Sequence, residues 1–292
     1  MKFSEYQALA SKTDQAPEGE KAKMLPMLGL AGEAGSVLTV YKKFLRDGRA
    51  HEMKASMQEE LGDVLWYVAN IASKFGLDLD EVAAANVTKV NRWWGPQPDR
   101  RAFDAGFPIW EQLPSVFEVE MTPLAVGEGA AVRLTCDSID VGDTLTDNAH
   151  VEDGYRFHDI FHFAYAAILG WSPVTRSIFG LKRKSRPKFD EVEDGGRAIV
   201  IEEGISAFVF AHAWPHRFQQ ATEVERSVLN TIRTMVKGLE VAERTERELQ
   251  RAILEGFRVF RQIADANGGL VVVNTVERYI DVVRAGPPPS PP

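Results

Sequence analysis

The sequence is poor in cysteine: Cys136 is the only one in 292 residues. That excludes an internal disulfide and a multi-cysteine zinc site. No run approaches the roughly 20 apolar residues that a membrane-spanning helix needs. The opening stretch, MKFSEYQALASKTDQ, lacks the apolar centre of a secretory signal, so a cytoplasmic location is expected. Positive charge is also in deficit: 34 Lys and Arg against 42 Asp and Glu give a net charge of −8. Phosphate backbones demand a positive surface, so sequence-blind binding to nucleic acid is disfavoured. What is present, 45% hydrophobic and 26% charged residues, is ordinary globular composition. The length predicts two domains.

The acid excess is uneven. Residues 1–100 hold 13 basic and 14 acidic side chains, whereas residues 101–292 hold 21 and 28. The nearly neutral first part reads as helices over Phe3 to Lys12, Met24 to Arg46, Met53 to Phe75 and Asp80 to Trp93. Leu28, Ala31, Gly35, Leu38, Tyr41 and Leu45 recur at helical spacing in the second, and Leu61, Val64, Leu65, Val68 and Ile71 in the third. Asp47-Gly48, Gly76 and Gly95-Pro96 punctuate them. Long helices with short connections predict an antiparallel bundle. Domain boundaries follow from composition: a helical domain over 1–95, a Pro- and Gly-rich linker over 96–114, an α+β domain over 115–285 and a disordered Pro-rich tail over 286–292.

Within the bundle, the second helix carries Leu28-Gly-Leu-Ala-Gly-Glu33-Ala-Gly-Ser36 and the third carries Glu59-Glu60-Leu-Gly-Asp63-Val-Leu-Trp-Tyr67. Glu60 and Asp63 are three residues apart and share a face with Val64 and Tyr67. Glycine inside a helix costs about 1 kcal/mol relative to alanine, so Gly32 and Gly35 beside Glu33 suggest a close approach to the backbone. Inward-pointing carboxylates repel unless a cation neutralises them. Magnesium suits them, since it takes hard oxygen ligands and is commonly completed by substrate phosphates. A solvated acidic face is the alternative for Glu60 and Asp63. For Trp66 and Tyr67, a helix core competes with stacking on a base.

These segments resemble the all-α nucleoside triphosphate pyrophosphohydrolases of the MazG type, which carry Glu-x-x-Glu on one helix and Glu-x-x-Asp on the next. Here the first is Glu33-Ala-Gly-Ser36 and the second Glu60-Leu-Gly-Asp63. Lys42-Lys43 and, on the fourth helix, Asn86-Val-Thr-Lys89-Val-Asn-Arg92 also fit. The resemblance covers about a third of the chain. It implies Mg2+-dependent (or Mn2+-dependent) hydrolysis of a nucleoside triphosphate to monophosphate and pyrophosphate. Glu33, Glu60 and Asp63 would be metal ligands or the water activator. Lys42, Lys43, Lys89 and Arg92 would meet phosphate charge, and Asn86 the base or sugar. It also implies a homodimer whose helices complete the site jointly. Ser36 departs from the pattern: it brings a hydroxyl, able to reach a metal through water, where a carboxylate is expected. A silent nucleotide-binding or dimerisation module, regulating a partner through the second domain, is the competing reading.

In the second part, Val116 to Met121 and Ala131 to Cys136 alternate as two strands of a hairpin, and Leu270 to Asn274 with Arg278 to Val283 form another. Helices are expected over Tyr155 to Leu169, Glu193 to Ala213 and Glu223 to Ala266. The whole is therefore mainly α. This region resembles C-terminal extensions of some MazG-type proteins. His158 and His162, four apart on one helical face, are a candidate transition-metal pair, with Glu202 or Glu203 as a third ligand. Two hydrogen-bonded, partly buried histidines are the plainer reading. The basic run Leu181-Lys-Arg-Lys-Ser-Arg-Pro-Lys188, followed by Asp190, Glu191, Glu193 and Asp194, reads as a solvated loop of both signs.

Overall fold

Helical periodicity in the first hundred residues produces four helices: α1 (Phe3–Ser11), α2 (Glu20–Asp47), α3 (Ala50–Lys74) and α4 (Leu79–Trp94). The computed structural model describes residues 1–15, 19–48, 50–94, 102–126 and 129–285, excepting the side chains of 20, 21, 50–52, 92–94 and 126. It divides into two units, Met1–Asn91 and Arg92–Pro292.

In the first unit α2 ends at Gly48, whose left-handed backbone (φ 71°) turns the chain into α3. The two helices pack along one another. Gln7 on α1 ties the α3–α4 turn by donating to the Leu77 carbonyl at 2.8 Å and accepting from the Leu79 amide at 2.9 Å. Asp80 accepts from the Phe3 and Ser4 amides, supplying negative charge to the α1 N-terminus. The buried core is small: Ala10, Ala69, Ala72 and Leu79, with Tyr6, Trp66 and Val68 packed against it. Much apolar surface stays outside, including Leu38 (72% exposed), Tyr41 and Leu45. Ala22–Asp47 also reaches, by length and composition alone, the level of a spanning helix, with a mean hydropathy of 1.2. This corrects the expectation that no segment does so: small residues with few charges raise the mean without a continuous apolar run. One such helix, 11% buried here, is weak ground for membrane insertion.

The second unit joins both expected hairpins into one antiparallel sheet. The strands are β1 (Val116–Val126), β2 (Gly129–Cys136), β3 (Ile139–Asp140) and β4 (Leu145–Thr146), then, near the other end of the chain, β5 (Gly269–Asn274) and β6 (Tyr279–Ala285). Their order is β3-β2-β1-β5-β6, with β4 also on β2. The join is β1 to β5, where Phe117 faces Val273 and Val119 faces Val271. Period-two alternation puts Phe117, Val119 and Met121 on the buried face.

The intervening helices are α5 (Asp159–Leu169), α6 (Pro173–Ile178), α7 (Pro187–Val192), α8 (Gly196–Ala213), α9 (Arg226–Met235) and α10 (Glu246–Asp265). Every residue of α5 is buried, as an all-round apolar helix requires. It packs against α10, β5, β6, α6 and α8. The expected single helix over Glu223 to Ala266 is a correction: Gly238 takes φ 92°, which breaks it, and α10 restarts on a capping box. There the Thr245 hydroxyl accepts from the Glu248 amide, and Glu248 accepts in return from the Thr245 amide at 2.8 Å. Thr245→Ala is expected to lower stability by about 1 kcal/mol, read by urea unfolding of the full chain with hydrogen exchange in α10.

Two further expectations change. Residues 102–114, read as part of a linker, pack into the second unit: Phe107 and Leu113 are buried, and buried Asp104 accepts from the Leu113 amide and from Arg176. The remaining linker residues, 96–101, and the tail 286–292 lie outside the described residues. The basic run is not a solvated loop at Arg183, which is wholly buried together with Asp194.

Candidate functional sites

The acidic residues of α2 and α3 come together. One carboxylate oxygen each of Glu33, Glu60 and Asp63 lies within 4.8 Å of the others. Glu33 and Glu60 are half-buried and Asp63 is exposed, so the cluster opens to solvent on one side. It owes this to the α2–α3 hairpin: Glu60 and Asp63 share a face one turn apart, and Glu33 stands opposite on the neighbouring helix. Gly29 explains how closely the helices meet there, since a Cβ at that position would lie 2.2 Å from the Tyr67 ring. Gly32 and Gly35 do not have that reason, because a Cβ on either would meet nothing within 4 Å. Ser36 is half-buried one turn beyond Glu33.

A cleft beside the acids is lined by Lys43, Phe44, Asp47, Ser56, Glu59 and Glu60. Exposed Lys43 and half-buried Glu60 both line it, while Lys42 is exposed and does not. Ser56 and Phe44 carried no sequence signal. Asn86 and Lys89 are exposed on α4, and no hydrogen bond or ion pair among the described residues joins them to the acids. The Arg92 side chain lies outside the described residues. Trp66 and Tyr67 serve the helix packing: Trp66 donates to Thr13 at 2.7 Å and meets Tyr67 edge-on at 4.9 Å.

A second cluster forms in the other unit, at the start of α5. His158, Asp159 and His162 are all buried and offer ligand atoms within 4.8 Å of one another. Glu202 of α8 approaches His162, and Glu203 approaches both histidines. The Tyr155 ring stacks on His158 at 4.3 Å, covering one face of it. Burial lowers the proton affinity of His158, partly offset by Asp159. Burial opposes charge on His162 too, but Glu202 outweighs it and holds that imidazole up to about 10.

These features define a mainly helical protein with a carboxylate-bearing helical hairpin followed by a mixed α/β unit. The MazG nucleotide pyrophosphohydrolase domain matches residues 24–93, and the MazG C-terminal domain matches residues 98–286. The chain therefore belongs to the MazG family, in the form that carries this C-terminal domain. The Gene 37 protein of Mycobacterium phage L5 is 41% identical over 66 residues, 22% of this chain and 58% of that protein. The chain thus spans little more than half the length of that relative. No solved structure matches it.

Proposed function

We propose that the first unit hydrolyses a nucleoside triphosphate to the monophosphate and pyrophosphate, with Mg2+ (or Mn2+) as cofactor. The observation that carries this reading is the meeting of Glu33, Glu60 and Asp63 within 4.8 Å inside a matched pyrophosphohydrolase domain. The donor set fits the ion: three carboxylates offer only hard oxygens and carry negative charge that a divalent cation offsets. When bound, such an ion polarises phosphoryl oxygens and lowers the pKa of a coordinated water. The chain's own residues divide the remaining work. Glu33 and Glu60, half-buried, hold their oxygens in place, and exposed Asp63 faces the side from which substrate enters. Lys43 meets phosphate charge across the cleft, with Lys42 next to it. The family resemblance would give Asn86, Lys89 and Arg92 to the nucleotide and Ser36 to the metal's water shell. Pyrophosphate release from a panel of nucleoside triphosphates, with and without Mg2+, tests the reading. Absence of turnover on every nucleotide would overturn it. A cytoplasmic location goes with this reading, since nucleoside triphosphates are abundant there.

We further propose that two chains pair through this unit. Leu38, Tyr41 and Leu45 stand at i, i+3 and i+7 on α2 and are all exposed, an apolar stripe left open to solvent beside the Tyr41–Phe44 ring contact. A bundle this thinly filled is marginal alone, and a second copy supplies the missing layer. The double variant Leu38→Glu/Leu45→Glu is expected to convert a dimer to monomer, read by light scattering on a sizing column. A monomeric parent protein would refute the pairing.

A further inference from the structure

The histidine cluster of the second unit has the construction of a metal site, and it is independent of the pyrophosphohydrolase reading. The order of its hydrogen bonds is the first reason. His158 Nδ1 lies 2.9 Å from the Tyr155 carbonyl and His162 Nδ1 lies 2.9 Å from Glu202 Oε1. A carbonyl and a carboxylate only accept, so each Nδ1 carries a proton and each Nε2 is the nitrogen that an incoming metal ion would take, in place of the proton that His162 holds there without one.

What surrounds those two nitrogens is the second reason. His162 Nε2 is fully buried and makes no hydrogen bond; it lies 3.4 Å from Glu203 Oε2 without the alignment to donate to it. His158 Nε2 lies 3.5 Å from Asp159 Oδ1 and 3.8 Å from Glu203 Oε2. Ligands about 2.0–2.1 Å from a tetrahedral ion are separated by about 3.4 Å, close to these edges.

The third reason is the support behind the first ring of residues. Glu202 is completely buried and accepts from the Ser172 hydroxyl at 2.6 Å and the Val174 amide at 2.8 Å as well as from His162. A carboxylate that fixes the far nitrogen of an imidazole, itself fixed by other donors, is the usual outer support of a metal-bound histidine. Glu203 is 41% exposed at its side chain, which leaves a route from solvent.

We propose that this pocket binds one divalent transition-metal ion through Nε2 of His158 and His162, with carboxylate oxygens of Asp159 and Glu203 completing the set. Two imidazoles select zinc, manganese or iron(II) over magnesium. The test uses the full chain carrying Glu60→Ala and Asp63→Ala, so that the first unit cannot supply the metal count. After chelator stripping, the protein is loaded with Zn2+ and analysed for metal, then titrated with Co2+ and followed by its visible ligand-field bands. The expected result is one equivalent per chain, lost in His158→Ala with unchanged circular dichroism. Affinity should fall about 10–100-fold in Glu202→Gln. If His158→Ala fails to fold, the partly exposed Glu203→Gln decides, through loss or shift of the Co2+ bands. Substoichiometric metal, or a full equivalent retained in the decisive variant, would overturn the site and leave a protonated His162 bridging Glu202 and Glu203. Because the readout is metal content, its failure says nothing about pyrophosphate release, and the reverse also holds.

Discussion

Replacing Glu60 by glutamine is expected to cut pyrophosphate release by at least about 100-fold, with the helical bundle intact. Loss of an outer hydrogen bond to a metal ligand already costs about 10–100-fold, and Glu60 is placed among the ligands themselves. Glutamine keeps the size and one carbonyl oxygen but removes the charge that Glu33 and Asp63 alone cannot supply. The variant should also need more Mg2+ for half-maximal rate, which separates loss of a ligand from damage to folding. Circular dichroism and sizing should match the parent, because Glu60 is half-buried at the cleft rather than in the core. Undiminished turnover in Glu60→Gln would remove the acidic trio from the mechanism.

The same assay tests Ser36. Family resemblance sets a carboxylate at this position, one turn after Glu33. The hydroxyl provides a hydrogen bond but no charge. If the site works through three acids, Ser36→Glu should lower the Mg2+ requirement and raise turnover. If the chain is a silent module, neither Ser36→Glu nor any choice of nucleotide should yield pyrophosphate. The pairing stripe on α2 bears on both outcomes, since a monomer would fail for a different reason, visible by light scattering.

The parts of this protein that were legible in the sequence are those governed by short-range rules. α2, α3 and α4 follow from apolar spacing, and each begins within a few residues of expectation. Glu33, Glu60 and Asp63 were legible because one hairpin of helices brings them together. What escaped depends on distant partners. The β1–β5 pairing joins residues about 150 positions apart, so two hairpins read locally became one sheet. The exception is the region from 223 to 266, which reads as one helix by period although local features, Gly238 and the Thr245–Glu248 cap, divide it. His158 and His162 could be paired by spacing, but the support from Ser172 and Val174 through Glu202 could not. Arg183, inside a basic run, had every local mark of a solvent-facing residue.

Its burial leads to the largest stability effect expected in the second unit. The Arg183 guanidinium is held by Asp194, with Nη2 to Oδ1 at 2.8 Å, and by Glu240, with Nη2 to Oε1 at 2.6 Å. The Arg183 amide also donates to Asp194 Oδ2 at 2.7 Å, and Arg176 Nε approaches Asp194 at 3.8 Å. Asp194 therefore faces two buried cations, and Asp194→Ala leaves Arg183 with Glu240 as its remaining carboxylate while Arg176 keeps Asp104. Removing one partner of a buried pair costs about 3–5 kcal/mol, mostly from the charge left behind. The fall should appear in urea unfolding of the full chain, with hydrogen exchange in α5 and α10 assigning the transition to this unit. Arg183→Met/Asp194→Leu should lose less than Asp194→Ala alone, because no Arg183 charge remains to be desolvated. If the double variant is instead the less stable, the pair stabilises the fold beyond what apolar packing can replace, and Glu240 would be the next residue to test.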